Sequence, residues 1–145
     1  AKTEVIRAVS QRSDLWVLFL GTAPFGLPSG VDRIRFLPST VDPDKKNAFI
    51  HACDGMIHAR QRGETFGLAV AEFASLGKPV ITWDRSPESF HLEALGDGHL
   101  RYQGALSLRR ILRKFEKESI MASSRYQEIC SPTFAMERFR RYFVE

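Results

Sequence analysis

Leu15-Trp16-Val17-Leu18-Phe19-Leu20 is an unbroken apolar run halted by Gly21-Thr22, and it is too short to be a helix of its own. A stretch of this length, apolar on both faces, suits a strand covered on both sides, which is the condition of a parallel sheet. Shorter runs repeat the pattern at Ile34 to Leu37, ended by Pro38, at Gly55 to Ala59 and at Pro79 to Trp83, and His99 to Tyr102 predicts a fifth strand. Helix-length segments lie between them. Thr3 to Gln11 places Val5, Ile6 and Val9 on one face. Asp42-Pro43-Asp44 is a helix start, with Asp42 as N-cap and Pro43 at the first helical position. That helix is expected to run to about Cys53 and to bury Ala48, Phe49, Ile50 and Ala52. Further helices are predicted from Gly67 to Leu76, from Ser86 (as cap) to Leu95, from Ala105 to Ser119, and from Thr133 to Phe143 after Pro132. Strands alternating with helices predict an α/β fold, a Rossmann-like parallel sheet with helices on both faces. Such sheets take ligands beyond the carboxyl ends of their strands. The loops of interest are therefore Gly21 to Gly30, Pro38 to Val41, Arg60 to Phe66 and Trp83 to Ser89.

Length and composition narrow the classes. With 145 residues the chain fits one domain that buries a core without metals or disulfides. No stretch is apolar for long enough to span a bilayer, and Ala1 to Arg7 lack the pattern of a signal peptide. Cys53 and Cys130 stand outside any zinc spacing and are expected to be reduced thiols of a cytoplasmic protein. His51, His58, His91 and His99 show no metal-ligand spacing, so no metal is expected, and His58 reads as a core or crevice-edge residue. The glycine patterns of nicotinamide and P-loop sites are absent, as is the G-x-S-x-G nucleophile elbow.

The net charge of +4 gathers late, in Arg109, Arg110, Arg113, Lys114 and Lys117 and again in Arg138, Arg140 and Arg141, which favours anionic ligands or surfaces. Leu106, Leu108, Ile111, Leu112 and Phe115 are expected to dock the helix from Ala105 on the sheet, leaving its charges solvated. Contact of that helix with an anionic membrane surface is the peripheral alternative. Nucleic acid is not an expected partner, because no motif of stacking aromatics accompanies the charge.

The segment from Arg60 to Ile81 carries the chemistry. A helix start at Gly67, directly after a strand-end loop, offers backbone N–H groups to an anion, and Gly67 permits close approach. Leu68, Ala69, Val70, Ala71, Phe73, Ala74 and Leu76 make the helix apolar nearly all round, so burial is expected. Glu72 sits in its middle, where an unpaired carboxylate costs several kcal/mol (roughly, for a buried ion). A ligand's pair of hydroxyls satisfies it; so does an Arg or Lys from a neighbouring helix, or a wet edge. Glu64 precedes the helix, with Arg60 and Arg62 beside it; basic side chains there can hold a diphosphate, while a solvated loop residue and a surface pair of arginines, the commoner fate of charged loop residues, are the alternative.

Glu64 and Glu72, with Phe66-Gly67-Leu68 between them and Gly77-Lys78-Pro79-Val80-Ile81 following, resemble the signature of retaining GT-B glycosyltransferases of the glycogen synthase and sucrose synthase kind. The resemblance extends in element order from about Thr3 to Phe143. It implies the C-terminal, donor-binding half of a GT-B fold, with sugar transferred from a nucleotide-diphosphate donor to an acceptor hydroxyl and no metal or other cofactor. Glu64 is then the catalytic-centre residue that contacts the donor sugar, and Glu72 binds the ribose. Arg60, Arg62, Thr65, Phe66, Gly67 and Leu68 complete the donor site. The family's first strand and glycine loop have no counterpart here, and Thr82-Trp83-Asp84-Arg85-Ser86 replaces its glycine pair after the fourth strand. The expectation is thus a single domain over 1–145, truncated at its N-terminus and lacking an N-terminal Rossmann-like partner, toward which the helix to Phe143 packs in the family. A nucleotide-sugar epimerase of GT-B type and a non-catalytic nucleotide-sugar-binding or partner-docking module are the alternative readings.

Overall fold

A computed structural model describes residues 1–97, 99–116 and 124–144. The α/β alternation is as expected, and every strand pair is parallel. The chain divides into two compact units, one of residues 1–52 with 103–115, the other of 53–102 with 116–145.

In the first unit, β1 (Val17–Leu20) pairs with β2 (Ile34–Leu37), Phe19 opposite Phe36. The burial expected from the run at Leu15 is not reached. All four β1 residues are half-buried and Trp16 is exposed, because among the described residues the ladder has two strands and gives β1 a partner on one side. Phe19, Phe25 and Phe36 close on one another, with ring centroids 5.0–5.4 Å apart. In α2 (Pro43–Ala52) Asp42 is the N-cap, its Oδ1 accepting the N–H of Asp44 at 3.0 Å and of Lys45 at 3.3 Å. Of the residues expected inside only Ile50 is buried; Phe49 is half-buried and Ala48 and Ala52 are exposed, since the helix shows the core one narrow edge.

The basic helix α5 (Ala105–Lys114) packs on α1 (Lys2–Gln11). Leu108 and Leu112 are its buried residues, whereas Leu106 faces out. Arg109 Nε donates to buried Glu4 at 2.7 Å, and Arg12 caps the helix end through the carbonyls of Leu112 and Phe115. The helix ends at Lys114, where Phe115 turns extended, short of the predicted end at Ser119; residues 117–119 lie outside the described residues.

In the second unit β4 (Val80–Trp83) is the central strand, flanked by β3 (Met56–His58) and β5 (Leu100–Tyr102). Strand pairing on both edges buries Val80, Ile81 and Thr82 almost completely. His99 is buried beside them, and its Nδ1 accepts the Val80 N–H at 3.1 Å. Helix α3 (Leu68–Ser75) turns Val70, Ala71, Phe73 and Ala74 inward. It is not buried all round as its composition suggested: Leu68, Ala69 and Leu76 are exposed and Glu72 is half-buried. Leu68, Glu72 and Leu76 recur at i, i+4, i+8 and so form one open stripe. Glu72 is therefore half-buried on that face and not enclosed by the helix's apolar residues on every side.

Helix α4 (Phe90–Leu95) begins later than expected, with Ser89 rather than Ser86 at its N-cap. The delay has a cause. Residues before it run alongside the loop that follows β3, through a parallel bridge of Gly63 with Glu88 and a 3.1 Å bond from the Glu88 N–H to the Arg62 carbonyl. A short helix α6 (Arg125–Ile129), not anticipated from sequence, buries Tyr126. Helix α7 (Pro132–Phe143) starts at Ser131, whose Oγ accepts the Phe134 N–H at 3.1 Å, and buries none of its residues.

Two outcomes are expected. Gly63 has φ +82°, and a Cβ there sits 2.0 Å from the Glu88 carbonyl oxygen. Gly63→Ala should cost at least about 2 kcal/mol in urea unfolding, from left-handed strain plus a clash with backbone. Gly26→Ala, with nothing within 4 Å, should cost far less. Burial pushes His99 down to about 4 from 6.5. Between those values the unfolded chain binds the extra proton, so stability is full above pH 6.5 and is lost as pH falls toward 4. His58 and His91, also pushed down by burial, add to the slope. His99→Asn, which can accept the Val80 N–H without titrating, should flatten part of that dependence in thermal melts across the window.

Candidate functional site

The candidate residues gather in the second unit, where the chain leaves β3, crosses a loop and enters α3. Gly67 makes the turn possible. It is the N-cap of α3 with φ +77°, and a Cβ on it meets the Glu64 Cβ at 3.2 Å. The glycine thus lets the helix start lie directly against the Glu64 stem. No side chain caps α3, and the N–H groups of its first turn have no partner within the helix. The result is an electropositive helix end beside a carboxylate.

Glu64 is one-quarter exposed. Arg60 Nη1 donates to its Oε1 at 2.7 Å from the solvent side, while the buried His58 turns Nε2 toward the same oxygen at 3.7 Å. The His58 Nδ1 lies 3.1 Å from the Thr82 hydroxyl, its cross-strand neighbour on β4. His91, fully buried, stands edge-on to His58 with centroids 5.0 Å apart. Its Nδ1 is 3.4 Å from both the backbone N and O of Glu64. Burial lowers the pKa of both rings, helped at His58 by the charge of His91 and of Arg60 and at His91 by that of Arg101, so both are neutral at neutral pH.

The aromatic side of the loop is fixed separately. Phe66 stacks on Phe90 at 5.8 Å and meets Tyr126 edge-on at 5.5 Å. The Tyr126 hydroxyl donates to the Phe66 carbonyl, and burial first of all raises its pKa to about 12, so it remains a neutral donor. Of the residues expected in the site, Arg60, Glu64, Phe66 and Gly67 come together here. Arg62 and Thr65 are exposed on the same loop, and Leu68 and Glu72 lie on the open stripe of α3.

Sequence reasoning missed His91, Thr82, Phe90 and Tyr126. His58 and Thr82 stand on neighbouring predicted strands, a cue that was present in the pattern; Tyr126 belongs to a helix of five residues, too short to give periodicity. Among the described residues no group of three or more His, Cys, Asp or Glu is placed to hold a metal, and no helix is long and apolar enough to cross a membrane. In the first unit a separate hollow of about 240 Å³ lies at the carboxyl ends of β1 and β2, between Leu20, Leu37, Pro38, Thr40, Lys45 and Phe49.

No family model matches the sequence, and no curated protein matches it. Among solved structures the chain is similar to Anabaena Alr3699/HepE in complex with UDP-glucose, with 22% identity and a TM-score of 0.64 over 97% of this chain and 43% of that one. It is likewise similar to Anabaena Alr3699/HepE in complex with UDP and glucose, with 21% identity and a TM-score of 0.65 over 99% of this chain and 43% of that one. The chain thus spans less than half the length of those chains. What it shares with them is the α/β fold.

Proposed function

We propose that this chain is the donor-binding part of a GT-B glycosyltransferase, holding a nucleotide-diphosphate sugar while the sugar passes to an acceptor hydroxyl. The observation that carries the reading is the carboxylate of Glu64 packed against the uncapped, glycine-started N-terminus of α3. The fold likeness to a protein solved with UDP-glucose supports it. A diphosphate needs fixed positive potential, and a sugar needs acceptors for its hydroxyls; the two lie here within one turn of chain.

In this reading the α3 N-terminus, Gly67 and the backbone from Phe66 to Leu68 face the diphosphate, with Arg60, Arg62 and Thr65 around it. Glu64 accepts hydrogen bonds from the donor sugar. Glu72, on the open face of α3, takes the ribose hydroxyls. The bond from the anomeric carbon to the diphosphate oxygen breaks as the bond to the acceptor oxygen forms, and the acceptor's proton passes to the departing diphosphate. Negative charge grows on the departing diphosphate, where the helix end and Arg60 stabilise it. Neutralisation by these groups is why the proposal needs no metal. The acceptor and a further Rossmann-like domain complete the proposed enzyme, which acts in the cytoplasm or at a membrane surface.

Calorimetric titration of the full-length protein with UDP-glucose, UDP, GDP and ADP checks the assignment. Hydrogen bonds to a charged group contribute about 1.5–3 kcal/mol, or roughly 10- to 100-fold in affinity. Glu72→Ala should weaken nucleotide and nucleotide sugar alike by that factor, whereas Glu64→Ala should weaken only the sugar conjugate. A folded protein that binds none of them, or variants that bind as the parent does, refutes the reading.

A further inference from the structure

The two donors facing the Glu64 carboxylate differ in kind. Arg60 is long and more than half exposed, and in the proposed complex it has a diphosphate to answer to. His58 is buried on a strand, and Thr82, itself wholly buried, fixes its ring through Nδ1. Its Nε2 is buried and makes no hydrogen bond among the described residues. A buried polar atom in that state calls for an explanation; the Nε2 atoms of His91 and His99 share it, and His58 is set apart by the carboxylate before it. The group ahead of it is the Oε1 of Glu64, 3.7 Å away, a gap that a small rotation of the carboxylate closes.

We infer that His58 is a positioning residue for Glu64: the Thr82 hydroxyl donates to Nδ1, the ring proton resides on Nε2, and Nε2–H holds the carboxylate toward the sugar of the bound donor. The inference rests on the reading of Glu64 as the sugar-contacting residue. A neutral ring carries one proton, so the partner at Nδ1 decides which nitrogen donates. Burial keeps the ring neutral. The other groups facing it do not compete for Nε2–H: the His91 ring is set edge-on, and Arg60 is itself a cation directed at Glu64. When the diphosphate draws Arg60 away, Glu64 retains an inner anchor whose position is set by the β3–β4 ladder.

The test compares His58→Asn, His58→Gln and Thr82→Val in the full-length protein, by calorimetry with UDP and with UDP-glucose. An Asn amide reaches only the Nδ1 position, whereas the Gln amide nitrogen falls close to Nε2 and can still donate. His58→Asn should lower the affinity for UDP-glucose about tenfold and leave UDP unchanged, as expected for one lost hydrogen bond to a charged group. His58→Gln should restore most of the loss, and Thr82→Val, by releasing the tautomer, should fall between them. Equal weakening of UDP and UDP-glucose by Asn and Gln alike, with lowered melting temperatures, makes His58 purely structural and overturns the inference. So does parent-like binding by all three. If the parent protein binds neither ligand, the donor-site reading falls and the role of His58 with it; if it binds both and only the variants disappoint, the positioning role alone is lost.

Discussion

The parallel pairing of β3 with β4 is the constraint from which the site follows. Because Met56 lies opposite Val80 and His58 opposite Thr82, the end of β3 is fixed in depth against a strand whose core residues are almost wholly buried. A shift of one residue would send His58 to the other face, since side chains alternate. It would also part the imidazole from the hydroxyl that orients it. The loop after β3 starts from that fixed point and is caught a second time where Gly63 bridges Glu88. Between the two anchors the chain has few conformations left. Glu64 therefore stands in front of α3 by backbone geometry as much as by its own contacts.

The opposite side of the loop is held by a different force. Phe66 is clamped between Phe90 and Tyr126, and the Tyr126 hydroxyl takes up the Phe66 carbonyl, a backbone group that the turn into α3 leaves without a helical partner. Aromatic packing positions the entry to the helix, and the polar pair at Glu64 positions the side chain. The two work at right angles to each other's failure modes: losing a ring loosens the backbone, whereas losing a donor frees only the carboxylate.

The fold was legible in sequence because its signals are local. Ile34 to Leu37 is a strand with the predicted ends, and Asp42-Pro43 starts a helix as its cap chemistry requires. The local signals failed where distant chain intervened. Ser86 has the composition of a cap, yet the bridge to Gly63 keeps the chain extended until Ser89. The run at Leu15 has the composition of a central strand, yet among the described residues its ladder has a single partner. The same distinction governs the site. Arg60, Glu64, Phe66 and Gly67 are close in sequence and were found together. His91, Thr82 and Tyr126 reach the loop from elsewhere in the chain, and no spacing rule connects them to it.

The two glutamates make the clearest use of this division. Composition put Glu72 inside an apolar helix and gave Glu64 only an open loop. The structure brings the two environments together, since both residues are half-buried: Glu72 on the α3 face it shares with Leu68 and Leu76, and Glu64 between an arginine outside and a neutral histidine within. Under the proposed function the two positions have a physical sense. Ribose hydroxyls are taken at a helix face. The donor sugar lies beside the bond that breaks, where a misplaced carboxylate loses the alignment on which transfer depends. Rigidity is therefore required at Glu64, and the buried strand pair beneath it supplies that rigidity.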